Sequence, residues 1–214
     1  MKIGVVVAMP REYDEMHRLI GGDEGFFEGN TVILRRCGIA KVNAAVACTD
    51  LINEEHPDCI LSTGLAGGLG DGINVFDVVV GTQYVYHDCW CGEGFAQGQV
   101  QGFPERFDTE KFLVDAVGDG ERIRRGLICT GDIFATRHDM ERIKAVFPDA
   151  LAVDMESCAL AQTCSIKGVP FISIRIISDS ISSGDNYAQY SSFFDTAGDR
   201  SFEIVKRFLE RVKH

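Results

Sequence analysis

The chain is predicted to be an α/β protein, a three-layer sandwich with a central mixed β-sheet flanked by helices, on three observations. Runs such as KIGVVVA, CILST and PFISIRIISD are apolar without alternation, as strands buried on both faces are. Between them lie segments whose apolar residues recur at helical spacing. The two kinds alternate through most of the 214 residues, the order of helices covering a largely parallel or mixed sheet.

Taken in order, residues 2–8 form the first strand, and Pro10 opens a helix that REYDEMHRLI continues. TVILRRC (31–37) is the next strand. Val42 to Ile52 reads as a helix that Pro57 stops. CILST (59–63) is a short strand running into GLAGGLGDG, which reads as a glycine-rich turn, and FDVVVGTQYVYH (76–87) is a long strand. Residues 88–108 are irregular and carry aromatics and four glycines, the composition of a functional loop or lid. RRGLICTG, ALAVD and PFISIRIISD are strands; RHDMERIKAVF and MESCALAQTCSIKG are helices, the second closed by its glycine. FFDTAGDRSFEIVKRFLERVKH reads as one amphipathic terminal helix. With no linker, repeat or low-complexity tract, residues 1–214 are expected to form a single domain.

A formal charge of −11, spread along the chain, repels phosphate backbones and anionic lipid, so neither nucleic acid nor a membrane is an expected partner. The apolar run after Lys2 is too short for a signal segment, and none approaches the roughly 18 residues a membrane helix needs. A cytoplasmic location is expected, with the eight cysteines reduced. Most of them sit within apolar patterns, and the Cys89–Cys91 pair lacks the second pair that a structural zinc site requires.

In sheets of this kind ligands sit beyond the carboxyl ends of the strands. Four such ends carry candidates: Met9 to Glu12, Thr63 to Gly68, Asp154 to Glu156, and Arg175, Ser178 and Asp179. Each has a plain structural explanation. Glu12 and Glu156 suit the positive ends of helices, Asp179 suits a turn, and the glycines permit tight backbone. Their convergence on one rim is what suggests a site. The glycine stretch matches neither a P-loop nor a dinucleotide fingerprint, which leaves a small polar ligand on bare amides.

The segments MKIGVVVAMPREYDEM, GIAKVNAA, STGLAGGL, GQVQGFP, TGDIF, FPDALAVDMESCALA and VPFISIRIISD occur in the order and spacing of a known family. Over nearly its whole length the chain resembles the 5′-methylthioadenosine/S-adenosylhomocysteine nucleosidases of the nucleoside phosphorylase superfamily, with AVDMESCALA and RIISD the most specific parts. The resemblance implies release of adenine from a 5′-modified adenosine, with no metal or organic cofactor. It implies that Glu12 works on the attacking water, that Asp179 is the general acid at N7 of adenine, and that Arg175 lies near the nucleophile. Glu156, with Met155 beside it, would hold the ribose hydroxyls. Phe134 would stack on the base and Ala135 would present backbone to its Watson–Crick edge. Tyr190 would meet the 5′ substituent, and the glycine segment with Ala66 and Gly67 would line the pocket. A homodimer is implied, residues 88–104 being the segment expected to cover a neighbour's site.

Two further expectations concern the nucleophile. A phosphorylase needs cationic or multiple donors for phosphate, whereas the glycine segment has no Arg or Lys and Glu12 repels an anion; water is therefore favoured. Arg11 and Arg175 keep a phosphate-using purine nucleoside phosphorylase open as an alternative. Where the family carries a hydroxyl residue this chain has Leu65, which leaves open a nucleoside-binding protein of impaired activity.

Overall fold

The computed structural model describes residues 1–181, 186–197 and 202–213. Its strands are β1 (Lys2–Val7), β2 (Glu24–Phe27), β3 (Asn30–Arg36), β4 (Cys59–Gly68), β5 (Val78–Tyr86), β6 (Phe107–Asp108), β7 (Ile123–Thr130), β8 (Ala150–Asp154) and β9 (Phe171–Ser180). The helices among the described residues are α1 (Pro10–Ile20), α2 (Lys41–Glu55), α3 (Lys111–Val117), α4 (Arg137–Val146), α5 (Ser157–Lys167), α6 (Asn186–Ala197) and α7 (Glu203–Arg211). The sheet is mixed and flanked by helices, as the alternating pattern predicts.

β4 pairs in parallel with β1 and β9, and its last residues pair antiparallel with β8. β5 pairs with β7 and β9, and β7 with β8, so β4, β9, β5, β7 and β8 close into a ring. Alternation along the strands feeds two cores. Ile3, Val5 and Val7 of β1 and Ile172, Ile174 and Ile176 of β9 join the cluster that α1, α3, α6 and α7 complete. Val6 and Ile177 face the opposite way, toward α2 and α5. A third cluster, with Met140 and Ile143, lies under α4.

Two sequence expectations need correction. GLAGGLGDG is not a turn from its start, because β4 continues to Gly68 and is buried throughout. Its glycines make room instead. A Cβ on Gly67 would strike the Met140 side chain, and one on Gly64 would lie 2.5 Å from Glu12 Oε1 and 2.9 Å from Arg175 Nη1. The terminal segment is not one helix. Phe202 has the non-helical ψ of 8° and a new helix starts after it, while residues 198–201 lie outside the described part. The short β2, β6 and α3 have no counterpart in the sequence reading, being too brief for a period to register.

One irregularity aims the site. The β4–β9 register runs from Ala66 opposite Ile177 to Gly67 opposite Asp179, leaving Ser178 as an extra residue on β9. A bulge of this kind re-aims the side chains that follow it, here Asp179.

Candidate active site

A cavity of about 120 Å³ lies at the ends of β1, β4, β8 and β9. Glu12, Glu156 and Asp179 all line it and all are buried.

Glu12 sits at the third position of α1, where Pro10 starts the helix. Its Oε2 accepts the N–H groups of Ala8 (3.2 Å) and Met9 (3.0 Å), and its Oε1 accepts that of Leu65 (2.9 Å). Burial raises its pKa, opposed by the Arg175 charge and by these three amides. Glu156 follows β8, and its Oε1 accepts the Ala40 N–H at 3.0 Å. Burial pushes it up to about 7 against the pull of Arg175. Ala40 itself has φ +80° and ψ 164°, a region almost confined to glycine and costing other residues about 1–3 kcal/mol.

Asp179 accepts the Ser178 hydroxyl on Oδ1 (2.7 Å) and the Asn186 amide on Oδ2 (2.9 Å). Burial raises its pKa, with these two donors opposing. Phe134, 41% exposed, lies edge-on to Tyr187 and Tyr190, at 5.9 and 5.3 Å between centroids. The Tyr190 hydroxyl donates to Met9 Sδ at 2.8 Å. Ala66, Gly67, Ala135 and Met155 complete the walls that sequence reasoning anticipated.

Arg175 is placed differently. It is 1% exposed and does not line the cavity. Its Nε donates to Asp154 Oδ2 (2.7 Å), its Nη2 donates to Ser62 Oγ (3.0 Å) and Ser157 Oγ (3.1 Å), and Nη2 is 3.8 Å from Glu156 Oε2. It therefore stands behind Glu12 and Glu156 as their shared countercharge. Arg11, the other candidate cation, is exposed and outside the cavity.

The sequence reading missed Ile39, Ile133, Met140 and Val153 in the walls, and Ala40 and Asn186 as partners of the carboxylates. GIAKVNAA marks the first segment, but a backbone N–H has no residue signature. Among the described residues no group of three or more His, Cys, Asp or Glu is placed to hold a metal ion.

The model of the Phosphorylase superfamily matches residues 2–210. A 5′-methylthioadenosine/S-adenosylhomocysteine nucleosidase of Actinobacillus succinogenes is 36% identical over 231 residues, covering all of both chains. The chain belongs to this nucleosidase family. Another member, from Anoxybacillus flavithermus, is 38% identical over 88% of this chain and 84% of its own. The family nucleosidase of Neisseria meningitidis, solved with methylthio-immucillin-A, superposes with a TM-score of 0.90 at 33% identity over 98% of each chain. That of Colwellia psychrerythraea, solved with adenine, gives 0.88 at 31% identity over 100% of this chain and 96% of the other. Within the nucleosidase family fold, the cavity is therefore where the three buried carboxylates meet the aromatic wall.

Proposed function

We propose that this family member hydrolyses the N-glycosidic bond of 5′-modified adenosines, methylthioadenosine and S-adenosylhomocysteine, and releases adenine. The observation that carries the reading is that Glu12, Glu156 and Asp179, each buried and with separate partners, line one cavity. Departure of adenine leaves positive charge on the sugar, which buried carboxylates stabilise where water is scarce. Asp179, kept protonated more readily by burial, supplies the proton at N7. Glu12 orients and deprotonates water, and Glu156 holds the ribose hydroxyls. One acid at the leaving group and one base at water is the layout of inverting glycoside hydrolysis. Phe134 and Tyr190 pack on base and 5′ group, and Arg175 acts by positioning Glu12 and Glu156.

Water is the nucleophile this geometry supports, because Arg175 is enclosed by its own partners and Glu12 faces any anion. Purified protein incubated with methylthioadenosine is expected to release adenine at the same rate with and without phosphate. Release only with phosphate would move the chain to the phosphorylases. Tight binding without release would make it a binding protein.

Leu65 bears on the rate. Its backbone N–H serves Glu12, which serine at this position would also do; its side chain lines the cavity without a hydroxyl. Leu65→Ser is expected to raise kcat/KM for methylthioadenosine about tenfold by adding a donor near the water. It is expected to lower Tm as well, since core burial is lost.

The assembly we propose is a homodimer. None of residues 88–104 lines the cavity of its own chain. Val42 and Val46, one turn apart on α2, are exposed together with Ile39 and Ile133 of the cavity wall. A second copy covering this apolar rim would bring the 88–104 segment over the open end of the site. No helix among the described residues is long and apolar enough to cross a membrane. The eight free thiols suit the cytoplasm.

A further inference from the structure

We propose that Lys41, Asp88 and Asp132 form a clamp outside the cavity that positions Glu156 by holding Ala40 in its strained backbone conformation. This rests on Glu156 being the carboxylate that meets the ribose. The three side chains lie on three separate segments, and none of them lines the cavity.

Lys41 is held twice. Its backbone N–H donates to Asp132 Oδ1 at 2.9 Å. Its ammonium donates to both Asp88 oxygens, at 2.9 and 2.8 Å, lies 3.5 Å from Asp132 Oδ2, and sits 5.3 Å above the Tyr86 ring. The Asp132 N–H closes the cluster on Asp88 Oδ2 at 2.9 Å. Upstream, the Cys37 N–H donates to Val7 O at 2.9 Å, which pins the segment to β1. Residues 38–40 are thus fixed at both ends, with Ile39 on the cavity wall.

Between these anchors Ala40 takes φ +80° and aims its N–H at Glu156. An alanine left to itself leaves that region, because its Cβ is crowded there. Ala40 has no side chain that could cap α2, and within the helix only the Asn43 amide, which donates to Ile39 O at 2.7 Å, reaches back to this turn among the hydrogen bonds of the described residues. A single exposed ion pair does little, but one cation between two carboxylates that also accept backbone donors defines a geometry. The amide aimed at a buried carboxylate from a strained alanine is what links this tie to the site.

The test uses Lys41→Met, which keeps the stem over Tyr86 and removes the charge, alone and combined with Ala40→Gly. Glycine adopts the conformation without crowding, so it is expected to make the clamp dispensable. Lys41→Met is expected to lower kcat/KM for methylthioadenosine about tenfold, and Ala40→Gly to restore it to within about threefold of wild type. Binding is read by calorimetry in an Asp179→Asn background. Affinity for methylthioadenosine is expected to fall about tenfold in Lys41→Met, whereas that for free adenine, which has no ribose, stays within about twofold.

Unchanged nucleoside affinity, an equal loss for adenine, or no restoration by glycine would each overturn the clamp. Asp88→Asn, a milder change, is expected to show a smaller loss of the same kind and serves if Lys41→Met does not fold. Wild-type protein that binds methylthioadenosine but releases no adenine would overturn the hydrolytic reading instead; the calorimetric comparison still decides the clamp.

Discussion

Asp179→Asn is expected to abolish adenine release, lowering kcat by at least about 10³-fold, while leaving the fold intact. General acids contribute roughly 10²–10⁴-fold, and adenine leaves as a poor anion without its proton, which places this loss toward the upper end. The fold should survive because an amide fills the same space. Its carbonyl accepts the Asn186 amide, which keeps its bond to Ser180 O, and its NH2 donates to Ser178 Oγ, whose own hydroxyl can turn to Ala66 O. Tyr190, Glu12, Asp154 and Glu156 are the titratable groups sharing the cavity, but Asp179 owes its raised pKa to burial, opposed only by Ser178 and Asn186. The acid works while protonated, so wild-type activity falls as pH rises through its folded pKa, and the residual activity of the variant should lack that limb. Linkage fixes the stability change. A carboxyl whose folded pKa is raised holds its proton more tightly in the native state, so its ionisation costs stability as pH rises from the unfolded to the folded value. The asparagine variant escapes that cost, and its Tm at pH 8 should equal or exceed that of wild type. Wild-type rates in this variant would remove Asp179 as the acid.

How far the sequence shows this site depends on what kind of group does the work. β1, β7, β8 and β9 are legible because apolar β-branched runs have few other uses. The Gly64–Gly68 stretch is misread as a turn because glycine usually marks one. Here it is a strand whose missing side chains admit Glu12, Arg175 and Met140. The separate start of α7 is hidden because apolar residues recur at helical spacing on both sides of residues 198–201, Phe193, Phe194 and Ala197 before them and Val205, Phe208 and Leu209 after. Glu12, Glu156 and Asp179 can be placed at strand ends from spacing, but their separate roles come through the family resemblance. The family resemblance implies that Arg175 lies beside the nucleophile. Only its Asp154, Ser157 and Ser62 partners show that it stands behind the carboxylates and not on the cavity wall. Ala40 and Asn186 are silent, one acting through backbone and the other recruited from a helix that follows undescribed residues.

Arg175→Met is expected to do the most damage to the protein as a whole. The guanidinium is fully buried, and its own pKa is raised by Asp154, Glu156 and Glu12 despite the cost of burial. A hydrophobic side chain of similar length fills the space but leaves those carboxylates without a cation. Removing one partner of a buried ion pair costs about 3–5 kcal/mol, which for a protein of this size lowers Tm by roughly 10 °C. Asp154 keeps the Thr130 hydroxyl, the Ser157 amide and the Ser157 hydroxyl, so the core around α5 has reason to hold together. The chemistry suffers through Glu12 and Glu156. Arg175 is the leading influence opposing burial at both, and without it both protonate at higher pH. Glu12 must be ionised to take a proton from water, so the acidic limb of the kcat/KM profile should move to higher pH. The same raised values mean that ionisation destabilises the variant, so its deficit in Tm should widen as pH rises. Arg175→Lys retains the charge without the fork and should fall between the two. A Tm within about 2 °C of wild type, with an unmoved acidic limb, would mean that the carboxylates do not depend on this arginine.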